Sequence, residues 1–232
     1  MTDSVPLAPS RRLAEGAIGL WFAPVAQLLT ETDPEAALPE REREHCRHYR
    51  HPQARRRALA VRLLAHRALA WVDSGRAWTI AHRASGQPCL PGSPLAISLA
   101  HSGAIVACAL GRVAALGVDV EVIRPRPRLL AFARRYYSAA EVAGLESLAE
   151  AERLVDFYDI WTLREAWLKA RGSGLRDYRC APCTRDGLAG GVPDWQWQQV
   201  TDEPGYRLAL CWRVDASGQA EVLRSVTPPW PQ

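Results

Sequence analysis

The chain has 232 residues, 48% of them apolar and 23% charged, with a net charge of +4. That length supports one large domain or two of roughly 100 residues each, and either can bury a core. The composition is ordinary for a globular protein, the charge is too mild to demand nucleic acid, and no stretch reaches the roughly 18 apolar residues of a membrane span.

Residues 1–10 read as a loose tail. The apolar stretch 17–29 follows Arg11 and Arg12 as a signal peptide would, but Glu15, Pro24 and the lack of a small-residue cleavage site argue against one. Residues 18–22 are instead expected to form a first core strand. Residues 30–38 are polar and turn-rich, and Pro39 opens a charged helix over 40–49. Pro52 restarts the helical pattern, which runs to about Val72 with Leu59, Leu63, Ala70 and Trp71 as apolar positions. Between Arg41 and Arg76 ten arginines stand against Glu42, Glu44 and Asp73, a local balance of +7. Such a patch suits an acidic partner or a phosphorylated ligand. His45, His48 and His51 recur every third residue, but Pro52 breaks the geometry a metal site would need. Six cysteines are scattered through a chain too long to need disulfide staples. Cys180 and Cys183 form a lone C-x-x-C. Reduced structural thiols and a cytoplasmic location are the expectation.

Residues 78–82 read as a strand, Ser85-Gly86 as a turn, and 95–100 and 105–110 as the next strands. Residues 114–123 follow as another, and Arg124-Pro-Arg-Pro-Arg128 stops further pairing. Ser138 is placed as the N-cap of a helix. A long helix is expected over 149–171, and strands over 195–200, 206–214 and 220–226. The order of strand, helices and strands thus occurs twice, giving segments 13–112 and 113–226, with tails at 1–12 and 227–232.

Two stretches carry the chemistry. In Gly117-Val118-Asp119-Val120-Glu121 the period of a strand puts both carboxylates on one face, about 7 Å apart. In Trp161-Thr162-Leu163-Arg164-Glu165-Ala166-Trp167-Leu168-Lys169 the period of a helix brings Glu165 and Lys169 to one face. Three carboxylates and one ammonium can surround a divalent cation and an anionic ligand, and oxygen ligands with open positions favour magnesium. Equally, they can be the solvated face of an edge strand and a surface ion pair. Lys169 is the single lysine among 29 basic residues, which marks a position where a compact ammonium is wanted rather than a guanidinium.

These two motifs, with the upstream Ser98-Leu99-Ala100-His101-Ser102-Gly103 and Gly86-Gln87-Pro88, resemble the 4'-phosphopantetheinyl transferases of the surfactin-synthetase type in order and spacing, over roughly residues 18–177. The resemblance implies an α+β fold of two similar α+β halves related by a pseudo-twofold, with the ligand between them, in a monomer. It implies Mg2+-dependent transfer of the 4'-phosphopantetheine arm from coenzyme A to a serine of an acyl or peptidyl carrier protein, releasing adenosine 3',5'-bisphosphate. By the same resemblance Asp119, Glu121 and Glu165 hold the metal, and Glu165 and Lys169 serve catalysis. Coenzyme A would meet Arg41, Arg56, Gly86, Gln87, Pro88, Ala100, His101, Ser102, Asp119 and Lys169, with His101 on the 3'-phosphate. Gln87 stands where the family has lysine, Ala100 where it has serine, and Arg164 where it usually has lysine. Tyr137-Ser138-Ala139-Ala140-Glu141 is similar to a family segment that helps receive the carrier. Neither nucleic acid nor membrane is expected as a partner. Two other functions remain open on the sequence: a coenzyme A-binding module without catalysis, and a magnesium-dependent hydrolase of nucleotides or coenzyme A.

Overall fold

The computed structural model describes residues 13–30, 32–173, 194–200, 203–214 and 221–226. The terminal tails and the Cys180–Cys183 pair lie outside these residues. The chain opens with β1 (Ala17–Pro24), a single helical turn α1 (Val25–Leu28), α2 (Glu40–Arg47) and the long α3 (Pro52–Val72). A two-residue pair, β2 (Ala81–His82) and β3 (Pro88–Cys89), leads to the hairpin β4 (Ala96–Ser102) and β5 (Ile105–Gly111). The second half repeats the scheme with β6 (Ala115–Val122), three helices α4 (Leu129–Tyr136), α5 (Ala139–Ser147) and α6 (Glu150–Arg171), and the hairpin β7 (Trp195–Val200) and β8 (Tyr206–Arg213). A last strand, β9 (Glu221–Val226), follows.

In each half the opening strand pairs antiparallel with the second strand of its hairpin, giving β4-β5-β1 and β7-β8-β6. The fold is therefore α+β, and its two halves share one connectivity. β9 comes last in sequence but joins the first sheet, parallel to β1. The two sheets lie face to face over Ile18, Leu20, Phe22, Ala107 and Ala109 from one and Leu116, Val118, Leu208 and Leu210 from the other. On the outer faces α3 covers Trp21, Val106, Cys108 and Leu110, and α6 covers Ala209 and Cys211. Alternation along each strand assigns its residues to the two faces. Burial pushes the Cys108 and Cys211 thiols up, so they act as small apolar side chains.

Most of the expected elements form. The strand expected over 78–82 shrinks to Ala81–His82 because side-chain contacts hold its first part. Trp78 Nε1 donates to the Asp73 carbonyl at 3.1 Å, and the Ile80 amide donates to buried Glu42 at 3.2 Å. The helix expected over 40–49 ends at Arg47. The strand expected over 95–100 continues to Ser102, so His101 lies inside β4 rather than at its end. Ser138 is the N-cap of α5, in a complete capping box with Glu141. Within the described residues no helix is long and apolar enough to cross a membrane.

Candidate active site

The site lies where β6 crosses α6. A Cβ on Gly117 would sit 1.8 Å from the Ala166 carbonyl oxygen and 2.6 Å from the Ala170 amide nitrogen. Only glycine therefore lets the strand lie this close to the helix backbone. The contact brings Asp119, two residues on, beneath Lys169, one helical turn after Glu165. Lys169 Nζ donates to Asp119 Oδ1 at 2.7 Å and to the Val118 carbonyl at 3.1 Å.

Asp119 is only 6% exposed. Burial pushes its carboxyl up to about 7 although Lys169 pulls the other way, and the nearby Glu121 and Glu165 add to the rise. Glu165 is raised for the same first reason, burial, with Lys169 opposing and Glu121 reinforcing. Two buried oxygens in this set, Asp119 Oδ2 and Glu165 Oε1, have no hydrogen-bond partner. Leaving such atoms unsatisfied is costly, and a cation between them would remove the cost. Their chemistry, hard carboxylate oxygens, suits magnesium. Among the described residues no three His, Cys, Asp or Glu side chains are already gathered closely enough to ligate one ion. The carboxylates are neighbours that feel one another, not a closed cage.

The edge of β4 supports this strand through hydroxyls. Ser98 Oγ accepts from the Val118 amide at 2.9 Å, and Ser102 Oγ accepts from the Val122 amide at 3.2 Å while donating to Glu121 Oε2 at 2.6 Å. Ser102 thus holds one carboxylate in place. Ala100, midway between the serines, falls by that register opposite Val120, and its methyl lies in the core between the sheets. His101 stands next to it, with loss of solvation and then the Arg57 cation holding its imidazole below the ordinary histidine range. A neutral imidazole can still donate one hydrogen bond to an anion. Arg57, not singled out from the sequence, is the α3 arginine that acts on His101, whereas its neighbour Arg56 is exposed. One signal could have found it, since the position on α3 that faces β4 is fixed by the apolar stripe.

The remaining expected residues make contacts of their own. Arg41 is exposed and acts on His82, which stacks on His45 with ring centres 5.1 Å apart. Gly86 supplies the turn before β3 with φ of 84°. Gln87 points its amide at the end of α6, where Nε2 donates to the Lys169 carbonyl at 2.8 Å. Pro88 and Gln87 line a cavity of about 370 Å³ with Ile97, Ala115, Ala170 and Arg171. Arg164 pairs with Glu141 at 2.6 Å, both nearly buried, and so ties α5 to α6.

Residues 115–211 match the model of the 4'-phosphopantetheinyl transferase superfamily. A Synechocystis protein provisionally named as a 4'-phosphopantetheinyl transferase is 32% identical, over 92% of this chain and 95% of its own length. The 4'-phosphopantetheinyl transferase HetI of Nostoc is 29% identical over 74% of this chain and 75% of its own. The 4'-phosphopantetheinyl transferase Sfp of Bacillus subtilis is 28% identical over 81% and 87%. With the family's model matched over residues 115–211 and a relative 32% identical along nearly the whole of both chains, the chain belongs to the 4'-phosphopantetheinyl transferase superfamily.

Proposed function

We propose that the protein transfers the 4'-phosphopantetheine arm of coenzyme A to a serine hydroxyl of an acyl or peptidyl carrier protein and releases adenosine 3',5'-bisphosphate, in the manner of a holo-[acyl-carrier-protein] synthase. The observation that carries this is the pair of partnerless buried oxygens on Asp119 and Glu165 beside the ammonium of Lys169. The halves 13–112 and 113–226 form the two walls of the coenzyme A cleft, with β9 of the second returning to the sheet of the first.

Phosphoryl transfer asks the protein for position and for charge at the leaving group rather than for covalent work. His101 and Arg57 from one wall meet the 3'-phosphate. Lys169 faces the pyrophosphate and neutralises charge that develops on the departing nucleotide. The serine oxygen attacks the phosphorus that bears pantetheine, the P–O bond to the nucleotide phosphate breaks, and the bonding pair leaves with the nucleotide. The serine proton passes to Glu165, whose carboxyl burial has already raised toward the range of a useful base. A magnesium ion on Asp119, Glu121 and Glu165 would supply Lewis-acid polarisation and a template for the pyrophosphate. The arginine-rich surface of α3, which carries no acidic residue, favours an acidic carrier by electrostatic steering. A cytoplasmic monomer fits this chemistry.

The test is the intact mass of a purified apo carrier protein incubated with this protein, coenzyme A and magnesium. The expected result is a gain equal to the phosphopantetheine arm, abolished by EDTA and by Glu165→Ala. Coenzyme A bound with no gain on any carrier type would favour a binding module. Nucleotide release without a carrier would favour a hydrolase.

A further inference from the structure

We infer that Gln87 is a positioning residue for Lys169, acting through the end of α6 and not through contact with coenzyme A; this rests on Lys169 as the charge-bearing group of the transfer site. The side chain starts from a fixed point. The Gln87 carbonyl accepts from the Arg83 amide at 2.9 Å and its own amide donates to Ser85 Oγ at 3.4 Å, so the turn between β2 and β3 holds its backbone from both sides. From there Nε2 reaches the Lys169 carbonyl at 2.8 Å.

That carbonyl sits in the last turn of α6, where carbonyl groups lack partners along the helix. The Gly172 amide also donates to it, at 3.1 Å, and Gly172 turns the chain out of the helix at φ of 67°. A Cβ on Gly172 would come within 2.9 Å of Gln87 Oε1, so the amide is packed against the helix end. Lys169 is thereby held twice. Its carbonyl is fixed by a turn of the first half, and its ammonium is fixed by Asp119 and Val118 of the second. Gln87 thus links the turn carrying Gly86 and Pro88 to the helix carrying Glu165 and Lys169. A glutamine there satisfies a neutral carbonyl without placing a second cation beside Lys169. That gives a physical use for the departure from the family's lysine.

The test compares Gln87→Met, which keeps the length and removes the donor, with Gln87→Lys, which restores a donor. With a carrier assay, Gln87→Met is expected to lower kcat about tenfold while KM for coenzyme A stays within about twofold, the loss expected for one hydrogen bond felt in the transition state. Gln87→Lys, which keeps a donor to that carbonyl but places a second cation beside Lys169, is expected to retain more of kcat than Gln87→Met and less than wild type. A raised KM with unchanged kcat would overturn the inference, since it would mean direct contact with coenzyme A. A second measurement does not depend on transfer activity. Lys169 is the only lysine in the chain, so protein carrying 13C-lysine gives one Cε signal. Asp119→Asn sets the position of that signal when the ammonium has lost its carboxylate. Gln87→Met is expected to move the wild-type signal toward that position, and a signal left in place would overturn the inference. If the wild-type protein modifies no carrier, the proposed function fails, and the lysine signal still decides the role of Gln87.

Discussion

β1 and β6 open the two halves with one pattern, Ala-Ile-Gly-Leu-Trp-Phe-Ala over residues 17–23 and Ala-Leu-Gly-Val-Asp-Val-Glu over residues 115–121. The apolar residues of each, Ile18, Leu20 and Phe22 against Leu116, Val118 and Val120, meet in the core between the sheets. The other faces diverge. Where β6 presents Asp119 to α6, β1 presents Trp21 to α3, edge-on to Trp71 at 5.6 Å between ring centres. Where β6 presents Glu121, β1 presents Ala23, fully buried. The third residue is glycine in both, for different reasons. Gly19 leaves room for the Trp21 ring, while Gly117 leaves room for the backbone of α6. The open edges also differ, for β1 is covered by β9 and β6 is met by the hydroxyls of Ser98 and Ser102. One connectivity thus makes an apolar wall in one half and a charged site in the other. On the strands the change needs two side chains and an edge met by hydroxyls rather than by a strand.

Altering the charged strand should remove activity and altering the apolar one should remove stability. The largest effect is expected for Glu165→Gln and Asp119→Asn, each lowering kcat about 10²- to 10³-fold, or about 2.7–4 kcal/mol of transition-state stabilisation. Next comes Gly117→Ala. Because its new methyl meets helix backbone, it should cost about 3 kcal/mol, near the upper end for overpacking, and take activity with it. Gly19→Ala meets a side chain that can shift, and should cost about 1 kcal/mol. Urea unfolding of the pair measures the contrast, and equal losses would mean that the two glycines do the same job.

The halves should also respond to pH in opposite directions. Asp119 has its folded value raised to about 7 from an ordinary value of 3.8. Its contribution to stability is therefore complete below about 4 and is lost as pH rises through about 7. His45 and His82 are lowered by burial and then by Arg62. Their contribution is present above the ordinary histidine value of about 6.5 and is lost as pH falls through their lowered folded values. Unfolding free energies between pH 5 and 8 should separate the two, with Asp119→Asn flattening only the alkaline loss. The smallest effect is expected for Ala100→Ser, which places a third hydroxyl on β4 in register with Val120. It should gain about 0.5–1.5 kcal/mol, read as a higher urea midpoint.

Much of this was legible in the sequence because it is periodic. Alternation placed Asp119 and Glu121 on one face of β6, and helical spacing placed Glu165 and Lys169 on one face of α6. What was not legible depends on contacts between distant segments. That Gln87 turns to a helix carbonyl and that β9 returns to the first sheet depend on packing that no local pattern encodes. The short reach of β2 is of the same kind, because Glu42 takes the Ile80 amide that a longer strand would have paired, and the Trp78 indole is held by the Asp73 carbonyl. α4 was missed because Arg124-Pro-Arg-Pro-Arg128 read as loop, and the helix begins directly after it.

The most direct measurement is calorimetric titration of magnesium into the protein with coenzyme A, alongside Asp119→Asn, Glu165→Gln and the apolar-strand variant Trp21→Phe. If the partnerless oxygens of Asp119 and Glu165 are a cation site, wild type and Trp21→Phe bind alike and the two carboxylate variants lose binding. Magnesium that bound equally well to all four proteins would contradict the placement of the cation at β6 and α6.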